Sequence, residues 1–151
     1  MSDAIMTSIG DILATLGINT SRFYADWTQD TRAISNWVEE GSLQTVTLEC
    51  HQPDGVVRPA FDFEVNYTAG GIGDAKFTLD NAAVQKYAAK IASVPVGTTY
   101  RLVCSFRAGS NRTKQPGWEP GARASTAHLR TRTIGTVAGA PGATATARAH
   151  L

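Results

Sequence analysis

The chain has little of what most enzyme chemistry requires. Its 151 residues include only three histidines and two cysteines, and no G-x-S-x-G nucleophile elbow is present. Nucleophilic catalysis needs a nucleophile, a base and an orienting group that converge in space. His51 falls at a hairpin turn, while His128 and His150 lie in a C-terminal stretch poor in large apolar residues. Cys50 and His51 are neighbours, so in a strand they point to opposite faces. No cluster has the spacing of zinc ligands. No metal or other cofactor is therefore expected, and the chain does not read as an enzyme. The paired carboxylates Glu39–Glu40 and Asp62 with Glu64 read as solvated faces, and Gly70, Gly71 and Gly73 lack the strand-to-helix context of a phosphate loop.

Long hydrophobic runs are also missing. No apolar stretch approaches the roughly 18 to 20 residues needed to span a bilayer. The N-terminus shows no basic segment followed by an apolar block. A cytoplasmic protein with no membrane association is expected. In the cytosol Cys50 and Cys104 are expected to stay reduced, each as a small apolar residue inside a strand. The net charge of +1 hides an asymmetry. Residues 1–97 hold 6 basic and 12 acidic side chains, whereas residues 98–151 hold 8 basic and 1 acidic. A basic tail lying against its own acidic body is the simpler reading. Nucleic-acid binding is disfavoured, because the arginines are dispersed and no aromatic follows Trp118 to stack on bases.

What is present is a sequence of clear periodicities. Ile5, Ile9, Ile12, Leu13 and Leu16 recur at helical spacing before Gly17, giving a helix over about 3–16. Phe23, Trp27, Ile34, Trp37 and Val38 mark a second helix over about 20–40, ending at Gly41. The period then becomes two. Val46, Leu48 and Cys50 alternate with polar residues, and after Pro53-Asp54-Gly55 so do Phe61, Phe63, Val65 and Tyr67. This predicts a hairpin of strands over about 43–51 and 57–67. A third helix over about 80–93 and a strand over about 98–106 follow, the latter with Tyr100, Leu102, Cys104 and Phe106 on one face. Trp27, Trp37, Phe63, Val65 and Leu102 are the expected core anchors, with both indoles against the sheet. The fold class is α+β: three helices on a mainly antiparallel sheet. From Arg107 onward Gly, Pro, Ala, Ser, Thr and Arg dominate, interrupted by Trp118 and a weak strand pattern from Leu129 to Val137. Such a segment is expected to be mobile, with conditional order.

These residues resemble, in order, those of the bacterial HORMA-domain proteins of CBASS anti-phage operons. The likeness runs through Leu16-Gly17-Ile18, Phe23, Ala25-Asp26-Trp27, Thr31-Arg32-Ala33-Ile34, Trp37, Gly41-Ser42-Leu43 and Val46-Thr47-Leu48-Glu49. It continues through Asp62–Tyr67, Tyr87-Ala88, Tyr100-Arg101-Leu102, Gly117-Trp118, Gly121, Ser125-Thr126, Ile134–Val137 and Gly142. The resemblance implies a HORMA core at 1–106 and a C-terminal safety belt at 107–151. It implies a short closure peptide bound as an added β-strand under that belt. The peptide-bound form would then bind and activate a cGAS-like nucleotidyltransferase, and a pachytene-checkpoint-type AAA+ ATPase would reopen it. The edge and belt residues expected to meet the peptide are Arg101, Val103, Ser105, Trp118, Leu129, Thr131 and Ile134. Relatives usually carry an extended segment ahead of the first helix, which the ATPase grips, whereas about two to four residues precede the Ile5 stripe here. The alternatives are a non-catalytic structural or adaptor domain, and a nucleic-acid-associated protein using the basic tail.

Overall fold

The computed structural model describes residues 1–67, 78–79, 86, 88–91, 94–110, 112–118, 123–140 and 142–151. Three helices come first: α1 (Ser2–Thr15), α2 (Ser21–Ala25) and α3 (Trp27–Glu39). The single helix expected over 20–40 is thus two, separated at Asp26. Gly17 and Gly41 act as the sequence suggests. Each takes a positive φ, 74° and 72°. Beyond them the Ile18 amide donates to the Leu13 carbonyl at 3.0 Å and the Ser42 amide to the Trp37 carbonyl at 3.0 Å, closing the orphan carbonyls of α1 and α3. The helix expected over 80–93 falls mostly outside the described residues; Lys86 and residues 88–90 are helical.

Among the described residues six strands form one antiparallel sheet: β1 (Leu43–His51), β2 (Val57–Tyr67), β3 (Thr78–Leu79), β4 (Thr99–Phe106), β5 (Thr131–Ala140) and β6 (Ala143–His150). Their order across the sheet is β3-β5-β6-β2-β1-β4. β1 and β2 are the expected hairpin, with Val46 opposite Phe63 and Leu48 opposite Phe61. β4 lies on the other side of β1, with Leu102 level with Leu48 and Cys104 level with Val46. Cys50 is level with Tyr100, so the two cysteines sit four residues apart in register and remain free. That offset is far beyond the span of a disulfide.

The sheet has two unlike faces. On one, Val46, Leu48, Cys50, Phe61, Phe63 and Val65 are buried in a common core with Ile5, Ile9, Ile12 and Leu13 of α1 and Ile34 and Trp37 of α3. Leu102 packs at its margin. Trp37 is 3% exposed, whereas Trp27 is only partly buried and packs edge-on against Phe23, 5.5 Å between ring centres. β6 contributes Ala143, Ala145, Ala147 and Ala149 to this core. The body of the sheet therefore does not end at Phe106, because β6 pairs along its whole length with β2. The other face carries Thr47, Glu49, Asp62 and His150, all buried. The expectation that Asp62 belongs to a solvated face is corrected: residues 123–130 run over this side, and the Val57 carbonyl is 3.0 Å from His128 Nε2. Among the described residues no helix is long and apolar enough to cross a membrane.

Candidate functional site

β4 ends the sheet, so one of its two edges has no neighbouring strand among the described residues. Such an edge presents a row of backbone donors and acceptors ready for another chain. In an antiparallel ladder a residue turns its N–H and C=O to the same side, and alternate residues turn opposite ways. The Arg22 guanidinium, outside the sheet, donates to the Tyr100 carbonyl at 3.3 Å and sits 4.8 Å from the Tyr100 ring centre. That contact marks Tyr100 as facing out, and with it Leu102 and Cys104.

A groove of about 700 Å³ lies along this edge. Arg22, Asp26, Gln29, Asp30 and Trp37 form its helical wall, and residues 100–104 with Phe106 form its sheet wall. Residues 112–115 with Gly117 and Trp118 form its outer wall. The outer wall is fixed to α3 residue by residue. Trp37 Nε1 donates to the Thr113 carbonyl at 2.7 Å, and Asn36 Nδ2 donates to Gln115 Oε1 at 3.2 Å. Glu40, next to α3, accepts from the Thr113 amide at 2.9 Å and its hydroxyl at 2.8 Å. The Thr113 amide, together with the Ser42 and Thr113 hydroxyls, holds the Glu40 carboxyl below its ordinary pKa despite some desolvation. Trp37 also meets Phe106 and Trp118 edge-on, at 4.9 and 5.4 Å between ring centres. Gly117 makes the close approach possible. A Cβ there would stand 1.9 Å from Gln29 Nε2, and its φ of +81° is one that L side chains rarely adopt.

The electrostatics of the groove are mixed. Asp26 and Asp30 lie one turn apart on the helical wall, while Arg112 and Lys114 lie on the outer wall. Burial, then the Asp26 charge, pushes the Asp30 carboxyl up to about 6, with Arg22 opposing. The Arg112 guanidinium sits 4.4 Å from the Phe106 ring centre. Burial pushes the Cys50 thiol up to about 12 and raises Cys104 as well, so neither supplies a thiolate near neutral pH. Among the described residues no group of three or more His, Cys, Asp or Glu could hold a metal ion.

Of the residues expected to line the site, Arg101, Val103 and Trp118 border the groove. Ser105 is on the same strand, outside that lining. Thr131 and Ile134 do not line the groove. They lie on β5, separated from β4 by β6, β2 and β1. Leu129 precedes β5 and does not line the groove either. The helical wall of Arg22, Asp26, Gln29 and Asp30 was missed by the sequence reading. Its signal was there as a polar column at spacing i, i+4, i+8 beside the apolar stripe.

The model of the family described as Bacterial HORMA domain 2 matches residues 1–150. The chain belongs to that family. Solved structures share its fold at low identity. A C. elegans HTP-1 structure bound to the HIM-3 closure motif superposes with a TM-score of 0.77 at 13% identity, covering 99% of this chain and 87% of that one. A chain of a mitotic checkpoint complex gives 0.72 at 9% identity, covering 99% and 94%. The E. coli MS115-1 CdnC:HORMA-deltaN complex gives 0.68 at 13% identity, covering 99% and 84%. At such identities the likeness concerns the fold. No curated protein matches the chain in sequence.

Proposed function

We propose that this HORMA domain is a non-catalytic switch that captures a short peptide as an extra β-strand on the outer edge of β4. One observation carries the reading: a sheet edge facing a groove, walled on its far side by a segment that belongs to the C-terminal third. Addition of a strand satisfies the free edge through main-chain hydrogen bonds, while alternate side chains reach the walls and set specificity. Residues 107–151 act as the safety belt around residues 1–106. Arg101, Val103 and Ser105 lie on the receiving strand and Trp118 on the covering wall.

The domain then presents its closed, peptide-bound form to a cGAS-like nucleotidyltransferase and activates it in anti-phage defence, and a pachytene-checkpoint-type AAA+ ATPase reopens it. The E. coli HORMA protein solved with CdnC supports the first partner by analogy. The ATPase rests on the family resemblance alone.

Selection from a random peptide display library on the full chain tests the capture step. Selected peptides are expected to bind one to one, and N-methylation of alternate backbone amides should reduce affinity at least tenfold. Failure to select any peptide, or indifference to backbone methylation, refutes strand addition. Turnover by the purified domain that tracks the protein peak would contradict the non-catalytic part.

A further inference from the structure

The back of the sheet, opposite the helices and away from the groove floor, holds two carboxylates that the peptide site does not use. Glu49 on β1 is 0% exposed. Arg101 reaches its Oε1 through Nε at 2.9 Å and Nη2 at 2.8 Å, and His51 Nε2 lies 3.0 Å from the same oxygen. The other oxygen accepts the backbone amide of Ala124. Asp62 on β2 is 6% exposed. Its Oδ1 accepts from the Thr47 hydroxyl at 2.7 Å. Its Oδ2 meets His150 Nε2 at 2.7 Å and Arg123 Nη1 at 3.0 Å. The far nitrogen of that imidazole is 2.9 Å from the Thr131 hydroxyl.

The donors divide by origin. Arg101, His51 and Thr47 belong to the body, whereas Ala124, Arg123 and His150 belong to the C-terminal third. A carboxylate in water has all the donors it needs, but one under cover must find them in protein. Residues 123–130 and β6 bring the cover and the donors together. A half-docked segment would exclude water without completing either set, so partial docking is disfavoured and attachment becomes all-or-none.

We propose that Glu49 and Asp62 are positioning residues that latch residues 123–130 onto the back of the sheet and β6 against β2, and that Arg101 ties this latch to the free edge at β4. The link runs through one buried group: Glu49 grips Arg101 of the edge strand with one oxygen and the Ala124 amide with the other. The latch rests on the reading of residues 107–151 as a belt, but its test needs no peptide. Arg148 with Glu64, 3.4 Å apart and far more exposed than Glu49 or Asp62, serves as the control.

Hydrogen exchange on the full, unliganded chain decides the matter. Glu49→Gln, Asp62→Asn, Arg123→Ala and Arg101→Met should each speed exchange in 123–130 and 143–150 about tenfold, the loss of a charge-assisted bond. Amides of α1 and β1 should stay within about twofold, and Arg148→Ala should change nothing. Acceleration spread evenly over the chain would make the carboxylates merely structural, and unchanged exchange in 123–150 would remove the latch. Should either carboxylate variant fail to fold, Arg123→Ala decides, since that side chain is about one third exposed and stands outside the core. A chain that takes no peptide at all would refute the proposed capture while leaving these exchange results intact.

Discussion

Trp37 joins three parts of the molecule, and its replacement separates their contributions. The indole is buried against the core, meets Phe106 at the β4 edge and Trp118 of the outer groove wall, and donates to the Thr113 carbonyl at 2.7 Å. Trp37→Ala empties a large buried volume, for which about 3–5 kcal/mol is the usual loss. Thr113 is exposed, so water takes over its carbonyl and little is added to that loss. At about 2–4 °C per kcal/mol for a chain this long, the melting temperature should drop by roughly 6–20 °C. Trp37→Phe is the sharper test. It keeps a ring in the core but removes the N–H, leaving a stability loss of about 1–2 kcal/mol. The effect should concentrate in residues 112–118. Urea unfolding followed by circular dichroism reads the global loss, and hydrogen exchange in residues 112–118 reads the local one. If Trp37→Phe leaves exchange in 112–118 unchanged, the indole does not tether the outer groove wall. If Trp37→Ala is tolerated with under about 1 kcal/mol lost, the core assignment fails as well.

Two further outcomes are expected. Gly117→Ala should loosen the outer wall, because a left-handed backbone costs an L residue about 1–2 kcal/mol. Gln29 can swing away from the new methyl, so adding Gln29→Ala should not restore exchange protection in 112–118, and full restoration would show that crowding outweighs backbone strain. Asp30 holds its proton more tightly in the folded chain, to about 6 against an ordinary 3.8. Its contribution to stability is therefore lost as pH rises across that interval. After allowance for its partial exposure, the effect is about 1 kcal/mol. Asp30→Asn should raise the urea midpoint at pH 7 but not at pH 4, and an equal change at both would refute the assignment.

The legible parts of the fold were those written in large apolar residues. The stripe from Ile5 to Leu16, the stops at Gly17 and Gly41, and the alternations through Phe63 and Leu102 all specify elements by burial, and the elements stand near where the sequence places them. The division at Asp26 had no Gly or Pro to announce it. The roles of Glu49 and Asp62 were hidden for a different reason. Alternation tells which residues share a face, but not what covers a polar one. The covering segment, 123–130, carries Leu129 as its only large apolar residue, and it docks through backbone and charged groups whose partners lie 61 to 75 positions away.

Under the proposed belt reading, the strand that the sequence periodicities missed altogether would let the C-terminal third be both folded and exchangeable. β6 is Ala-Thr-Ala-Thr-Ala-Arg-Ala-His, a perfect alternation whose buried face consists of four alanines. Each methyl gains about 0.8 kcal/mol on burial, where Val or Ile would gain about 1.5–3. Valine or isoleucine at these four positions would fix the strand in place. With alanine, attachment depends on the ladders to β2 and β5 and on groups such as His150, which water can replace when the strand leaves. Hydrogen bonds exchanged with solvent contribute modestly in net terms, and ordering eight residues opposes them. A segment held this way can come away without stranding much apolar surface in water, and return without a large apolar collapse. Ala145→Val and Ala147→Val together should shift that balance by slowing exchange in β6, provided the face opposite has room for the added methyls. An overpacked pair would instead speed exchange there, showing that the alanines are required for fit and not chosen for weak attachment.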